Sequence, residues 1–215
     1  MPDQFGGDAA PNTSTTVAAQ ENASIIEKIK LGVAEAAKSF TIDMWLARHT
    51  PATVLPRLHK VIAAVREEFA DAVANGGGIY GVGYCFGGKY ILLLASKLGP
   101  DQEADQKSAD ASAEEGLVRS EPALKAGVLA HGTMVEKSDF EKVESPVGIV
   151  AVEGDGLFPD EVREEGVKSL KNKGVDVESW VYPGVPHGES IRIVLIGVFA
   201  LTTYQVLPCW VITRT

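Results

Sequence analysis

The chain has 215 residues, 45% of them hydrophobic, which is enough for one sizeable globular domain and too little for two. A net charge of -9 weighs against nucleic acid as a partner, because phosphate neutralisation needs clustered Lys and Arg. The two cysteines, Cys85 and Cys209, lack C-x-x-C spacing, which argues against a disulfide framework or structural zinc site and suits a reducing, cytoplasmic setting.

No basic stretch followed by an apolar run opens the chain, so a secretory signal is not expected. The first 20 residues read as irregular loop. Ser24 and Glu27 form an S-x-x-E capping box ahead of Ile25, Ile29, Val33 and Ala37, predicting a helix. His49-Thr50-Pro51 marks a break, and Pro56 suits the first turn of another helix. The apolar face of that helix is Leu58, Val61, Ile62, Val65 and Phe69, while His59 falls off it and is expected in solvent.

Residues 79–94 carry the most information. An apolar strand from Ile79 to Tyr84 runs into Cys85, and Gly87-Gly88 then launch an apolar helix to Leu94. Gly83-Tyr84-Cys85-Phe86-Gly87 has the G-x-C-x-G form of a nucleophile at a sharp strand-to-helix turn, where neighbouring positions must lack bulk. The same string matches a phosphate-binding loop up to Lys89, but Tyr90 stands where a Ser or Thr should hold magnesium. A dinucleotide loop is disfavoured by the spacing G-x-G-x-x-x-G, and a merely buried cysteine is the remaining alternative.

Residues 99–122 are acidic and poor in apolar side chains, as in a surface loop. Ala126–Ala130 reads as a short buried strand delivering His131 and Gly132, and Val147–Val152 as another delivering Glu153, Gly154 and Asp155. Pro159 opens a helix with Asp160 and Glu161 in its first turn and lysines toward its end, before a last strand over Val175–Tyr182 that leads to His187. Strands alternating with helices predict a three-layer α/β fold, a mostly parallel sheet with helices on both faces.

Catalytic groups in such sheets gather at the carboxyl ends of strands, where Cys85, Asp155 and His187 all fall. Cys85 at a helix N-terminus favours thiolate, His187 can shuttle its proton, and Asp155 would fix the imidazole tautomer. The backbone N–H of Phe86 is a candidate oxyanion donor. His131 could line the same site or be structural. A metal site of Cys85, His131, His187 and Asp155 has suitable atoms but no short ligand spacing, so none is expected.

The segments VGYCFGGKY, AHG, EGDGLFPDE and YPGVPHG, in this order, resemble the dienelactone hydrolase family, its fungal members above all. The resemblance implies an α/β-hydrolase fold and a Cys-His-Asp triad of Cys85, His187 and Asp155. It implies hydrolysis of an enol-lactone or similar ester through an acyl-thioester, with no metal or organic cofactor. The sequence leaves the oligomeric state open between monomer and homodimer. Arg192 would coincide with the family's substrate-carboxylate arginine. MPDQFGGDAAP resembles a segment that in the family follows the first strands, so residues 1–190 are expected to form a domain truncated at its N-terminus. A catalytically impaired member that binds a ligand or protein partner is the alternative.

Residues 191–215 form an atypical apolar tail. Ile193 to Thr213 carries no charge and is long enough to span a bilayer, though Thr202, Thr203, Gln205 and Pro208 favour a buried strand pair or a non-native extension over an anchor. Gly188-Glu189-Ser190 can be encoded by a splice-donor-like string, making translated intron one origin for the tail.

Overall fold

Two glycines in one short strand set the spacing of this fold. The computed structural model describes residues 3, 5–9, 41–97 and 121–188 and the backbone of 210–213. The capping-box helix from Ser24, most of the loop over 99–122, Arg192 and nearly all of the apolar tail lie outside them. The chain divides into two compact units, Asp3–Arg57 and Leu58–Thr215.

In the smaller unit a helical stretch over 41–48 presents Trp45 to Phe5 and His49, with ring centroids 4.8 Å (Phe5–Trp45) and 4.3 Å (Trp45–His49) apart. The indole N–H of Trp45 donates to the Asp8 carbonyl at 2.8 Å, and Arg48 pairs with the Asp8 carboxylate at 2.9 Å. Helix α1 (Pro51–Glu68) begins at Pro51 rather than at Pro56, which lies inside it. Proline at the first helical position loses only an N–H that has no intrahelical partner anyway. Pro56 does cost one bond of the ladder, but the buried stripe Val54, Leu55, Leu58 and Ile62 outweighs it. His59 is half-buried on this helix, not solvated as its position off the apolar face suggests.

After a break at Phe69 and a short helix α2 (Ala70–Asn75), the chain enters a parallel sheet. Strand β1 (Tyr80–Tyr84) is followed by helix α3 (Phe86–Leu94), strand β2 (Ala126–Ala130), a 3₁₀ turn over Lys137–Phe140, strand β3 (Val147–Val152), helix α4 (Asp160–Asn172) and strand β4 (Val177–Tyr182). A fifth strand, β5 (Trp210–Thr213), pairs with β1, so the sheet order is β4-β3-β2-β1-β5. The sequence shows four strands; the fifth comes from the apolar tail and covers the β1 edge that those four leave unpaired.

Side chains alternate across the sheet with period two. Gly81, Gly83, Gly127 and Leu129 face α3, where a Cβ on Gly83 would lie 2.3 Å from the Gly87 carbonyl oxygen and one on Gly127 2.4 Å from Ile91. Any side chain at these points would push the helix away, so the glycines set how closely α3 sits on β1 and β2. The core continues through Leu92, Ile149, Phe140, Phe158 and Leu170, all fully buried. On the opposite face Tyr84, Ala130 and Val150 form a buried cluster, flanked by half-buried Val82, Val128, Trp180 and Tyr182.

Candidate active site

Register places the site. Tyr84 lies opposite Ala130 and Ala130 opposite Val150, so Cys85 and His131, each the next residue along, emerge side by side at the carboxyl ends of β1 and β2. The loop after β3 adds Asp155, and the loop after β4 adds His187, five residues beyond the Val152–Tyr182 pair.

Cys85 sits at the turn between β1 and α3 with φ 49° and ψ -118°, a conformation that costs an L-residue on the order of 1–3 kcal/mol. Three backbone bonds hold it there. Its N–H donates to the Ala130 carbonyl at 3.0 Å, and its carbonyl accepts from the N–H groups of Gly88 at 2.9 Å and Thr133 at 3.0 Å. Gly83 is required on one side by the approach to Gly87, and Gly88 on the other, where a Cβ would meet Gly132 at 3.0 Å. Phe86, the first residue of α3, places its backbone N–H next after Cys85.

His187 donates from Nδ1 to Oδ2 of the buried Asp155 at 2.6 Å. The other Asp155 oxygen accepts from the Leu157 N–H at 2.9 Å, which fixes the carboxylate plane. Nε2 of His187 turns toward Cys85, and it also lies 3.3 Å from Nδ1 of His131 and 3.5 Å from the Thr133 hydroxyl. That hydroxyl contacts Sγ of Cys85 at 3.1 Å. Sγ, one His131 ring nitrogen and one His187 ring nitrogen all lie within 4.8 Å of one another.

Burial alone would raise the Cys85 thiol, but hydrogen bonding from His131, His187 and Thr133, with the charge of His187, lowers it from 9.0 to about 5. His187 moves the other way: its hydrogen bond to Cys85 raises it, burial opposes this, and Asp155 adds to the rise. A thiolate beside an imidazolium backed by carboxylate is a nucleophile already deprotonated and an acid ready to protonate a leaving group.

The predicted residues Cys85, Asp155 and His187 are therefore brought together, and His131 joins them with 3% exposure. Arg192 lies outside the described residues. Thr133 was not legible as a site residue; only the in-register pairing of β1 with β2, which puts 131–133 beside Cys85, could have found it. The phosphate-loop reading finds no support, because Lys89 donates to the Met134 carbonyl at 2.8 Å and pairs with Asp139 at 3.1 Å.

No family model matches the chain. Among curated proteins it is 28% identical over 192 residues to Hydrolase pyvD of Aspergillus violaceofuscus, covering 89% of this chain and 58% of that protein. It is 26% identical over 146 residues to Hydrolase tropI of Talaromyces stipitatus, covering 67% and 45%. The chain thus spans about half the length of these relatives. Among solved structures, esterase 2 of Thermogutta terrifontis, phosphoramylated by tabun, superposes with a TM-score of 0.54 at 15% identity, over 74% of this chain and 67% of that one. A Klebsiella pneumoniae protein assigned as a dienelactone hydrolase gives 0.50 at 19% identity, over 74% and 64%. This is an α/β-hydrolase fold.

In an α/β-hydrolase the nucleophile stands on a strained strand-to-helix turn, with the acid and then the histidine later in the chain. The β1–α3 turn at Cys85 has that geometry, and Asp155 and His187 follow in that order. Among the described residues no helix is long and apolar enough to cross a membrane; residues 193–209 lie outside them.

Proposed function

We propose that the protein hydrolyses a small ester or enol-lactone through Cys85, His187 and Asp155, by way of an acyl-thioester. The observation that carries the reading is the 2.6 Å bond from His187 to Asp155 while the other edge of the same imidazole faces a cysteine held on a strained turn. The similarity to fungal hydrolases and to an assigned dienelactone hydrolase supports the class of reaction.

The Cys85 thiolate adds to the carbonyl carbon, and the oxygen takes up the displaced electron pair beside the Phe86 N–H. The tetrahedral species collapses with cleavage of the carbon–oxygen bond, and the leaving alkoxide or enolate takes the Nε2 proton of His187. His187, now neutral, accepts a proton from water, which attacks the thioester carbonyl; the carbon–sulfur bond breaks and thiolate returns. Asp155 holds Nδ1–H throughout and stabilises the imidazolium of the resting and final states. Thr133, through its hydroxyl on Sγ, holds the thiolate between turnovers. An enol leaving group suits this machinery because its enolate is a weak base and departs with little help.

The test is hydrolysis of an aryl ester and of a five-membered enol-lactone by the 215-residue chain. Cys85→Ser should abolish turnover, and mass spectrometry of acid-quenched enzyme should find the acyl group on Cys85. An unchanged rate in Cys85→Ser would refute the assignment.

A further inference from the structure

One group at the site takes no step in the hydrolytic scheme beyond its hydrogen bond to Cys85. His131 is almost completely buried, has a positive φ of 38° at the end of β2, and leaves Nε2 without a partner among the described residues. A buried imidazole with an unsatisfied nitrogen on a strained backbone is costly. Its other nitrogen, Nδ1, lies 3.3 Å from Nε2 of His187, and His131 also hydrogen-bonds Cys85, so that the sulfur and one nitrogen of each histidine stand within 4.8 Å of one another. Three electron-pair donors thus converge on one point.

The spacing is that of a metal site. Two imidazole nitrogens bound to tetrahedral zinc at about 2.05 Å stand about 3.3 Å apart, and a thiolate at about 2.3 Å stands about 3.6 Å from each. The two histidine nitrogens already have the first of these separations. The sulfur, on a single rotatable side-chain bond and already hydrogen-bonded by His131, His187 and Thr133, has at most about 1.2 Å to close. His187 also has the outer partner that metal-bound histidines usually have, a carboxylate on the far ring nitrogen, in Asp155 at 2.6 Å. Thiolate and that carboxylate together offset the charge of a divalent ion. Asp155 supports His187 and is not itself a ligand, so the site has three protein donors and an open fourth position.

We propose that Cys85, His131 and His187 bind one thiophilic divalent cation of the Zn²⁺ class, and that occupancy holds the hydrolase off by tying up its nucleophile and its proton carrier. The inhibitory half rests on the hydrolytic reading; the binding half does not. On binding, the Nε2 proton of His187 leaves to solvent, the His131 proton moves from Nδ1 to its unpartnered Nε2, sulfur and the two freed nitrogens each donate a pair to the metal, and no electron is transferred.

The experiment titrates the metal-free 215-residue chain with Co²⁺ and follows the thiolate-to-cobalt charge-transfer band together with hydrolysis. One equivalent should saturate the band, Zn²⁺ should displace Co²⁺, and hydrolysis should fall with occupancy and return with a chelator. Cys85→Ser should remove the band and Cys209→Ser retain it. His131→Ala should weaken Zn²⁺ binding by about 100-fold or more, since loss of even an outer partner costs about 10–100-fold. If that variant does not fold, His187→Gln replaces it with the same expectation. Absence of the band, its survival in Cys85→Ser, or unchanged affinity in the histidine variant overturns the site. A band in a chain without hydrolysis leaves the metal site standing and removes the hydrolytic reading, and hydrolysis without a band does the reverse.

Discussion

The thiolate at Cys85 gives the sharpest expectation. With its pKa lowered to about 5, Cys85 at pH 6 is about nine-tenths thiolate, whereas a thiol at 9.0 is about one part in a thousand, a ratio of about 900. A thiolate of low pKa is also a poorer nucleophile: with a Brønsted coefficient of about 0.45, the fall from 9.0 to about 5 costs about 60-fold in intrinsic rate. Cys85 should therefore react with a dipyridyl disulfide about 15 times faster than an ordinary cysteine at pH 6. At pH 9, where an ordinary thiol is already half ionised, it should react about 30 times slower. The assay is stopped-flow absorbance across pH 4–10 in a Cys209→Ser background, beside a free-cysteine peptide. His187→Gln removes both a hydrogen-bond partner and a nearby positive charge, so the midpoint should move up toward 9.0. A wild-type midpoint near 9, or one unmoved by His187→Gln, would refute the ion-pair reasoning.

Asp155→Asn should lower kcat for ester hydrolysis by about 10³–10⁴-fold with little change in KM, since the amide cannot stabilise the imidazolium whose Nδ1 it faces. Gly83→Ala should cost about 3 kcal/mol in urea unfolding, because its Cβ would meet backbone at 2.3 Å; a loss below about 0.5 kcal/mol would mean that α3 has room to shift. Lys89→Met should cost about 3 kcal/mol by leaving Asp139 without its cation. Burial, partly offset by the Glu136 N–H and Lys89, already holds the Asp139 carboxyl above its usual range. That variant should leave nucleotide binding where wild type has it, near zero, as calorimetry with magnesium and ATP can check.

Strands β2 and β3 and helix α4 follow from local pattern because each is a short apolar or amphipathic run bounded by turn residues, and they fall within a residue of where the sequence predicts them. Helix α1 does not, because a local rule for proline at Pro56 competes with a buried stripe that begins before it. His59 is misjudged for a related reason: the buried stripe takes in Leu55, one turn before His59, which the apolar face drawn from Leu58 onward leaves out.

For the site, the sequence by itself determined the residue types and their order: a cysteine at a glycine-flanked turn, then an acid, then a histidine, each after a strand. Those depend on contacts between near neighbours in the chain, and Gly83 against Gly87 is one. Tertiary structure alone decided the company Cys85 keeps. Thr133 and His131 reach it only because β1 and β2 pair in parallel and in register, across an interval of more than forty residues that no spacing rule spans. The same pairing turns two histidines and a cysteine with no ligand spacing into atoms within 4.8 Å, since strand ends are where a parallel sheet collects what the sequence keeps apart.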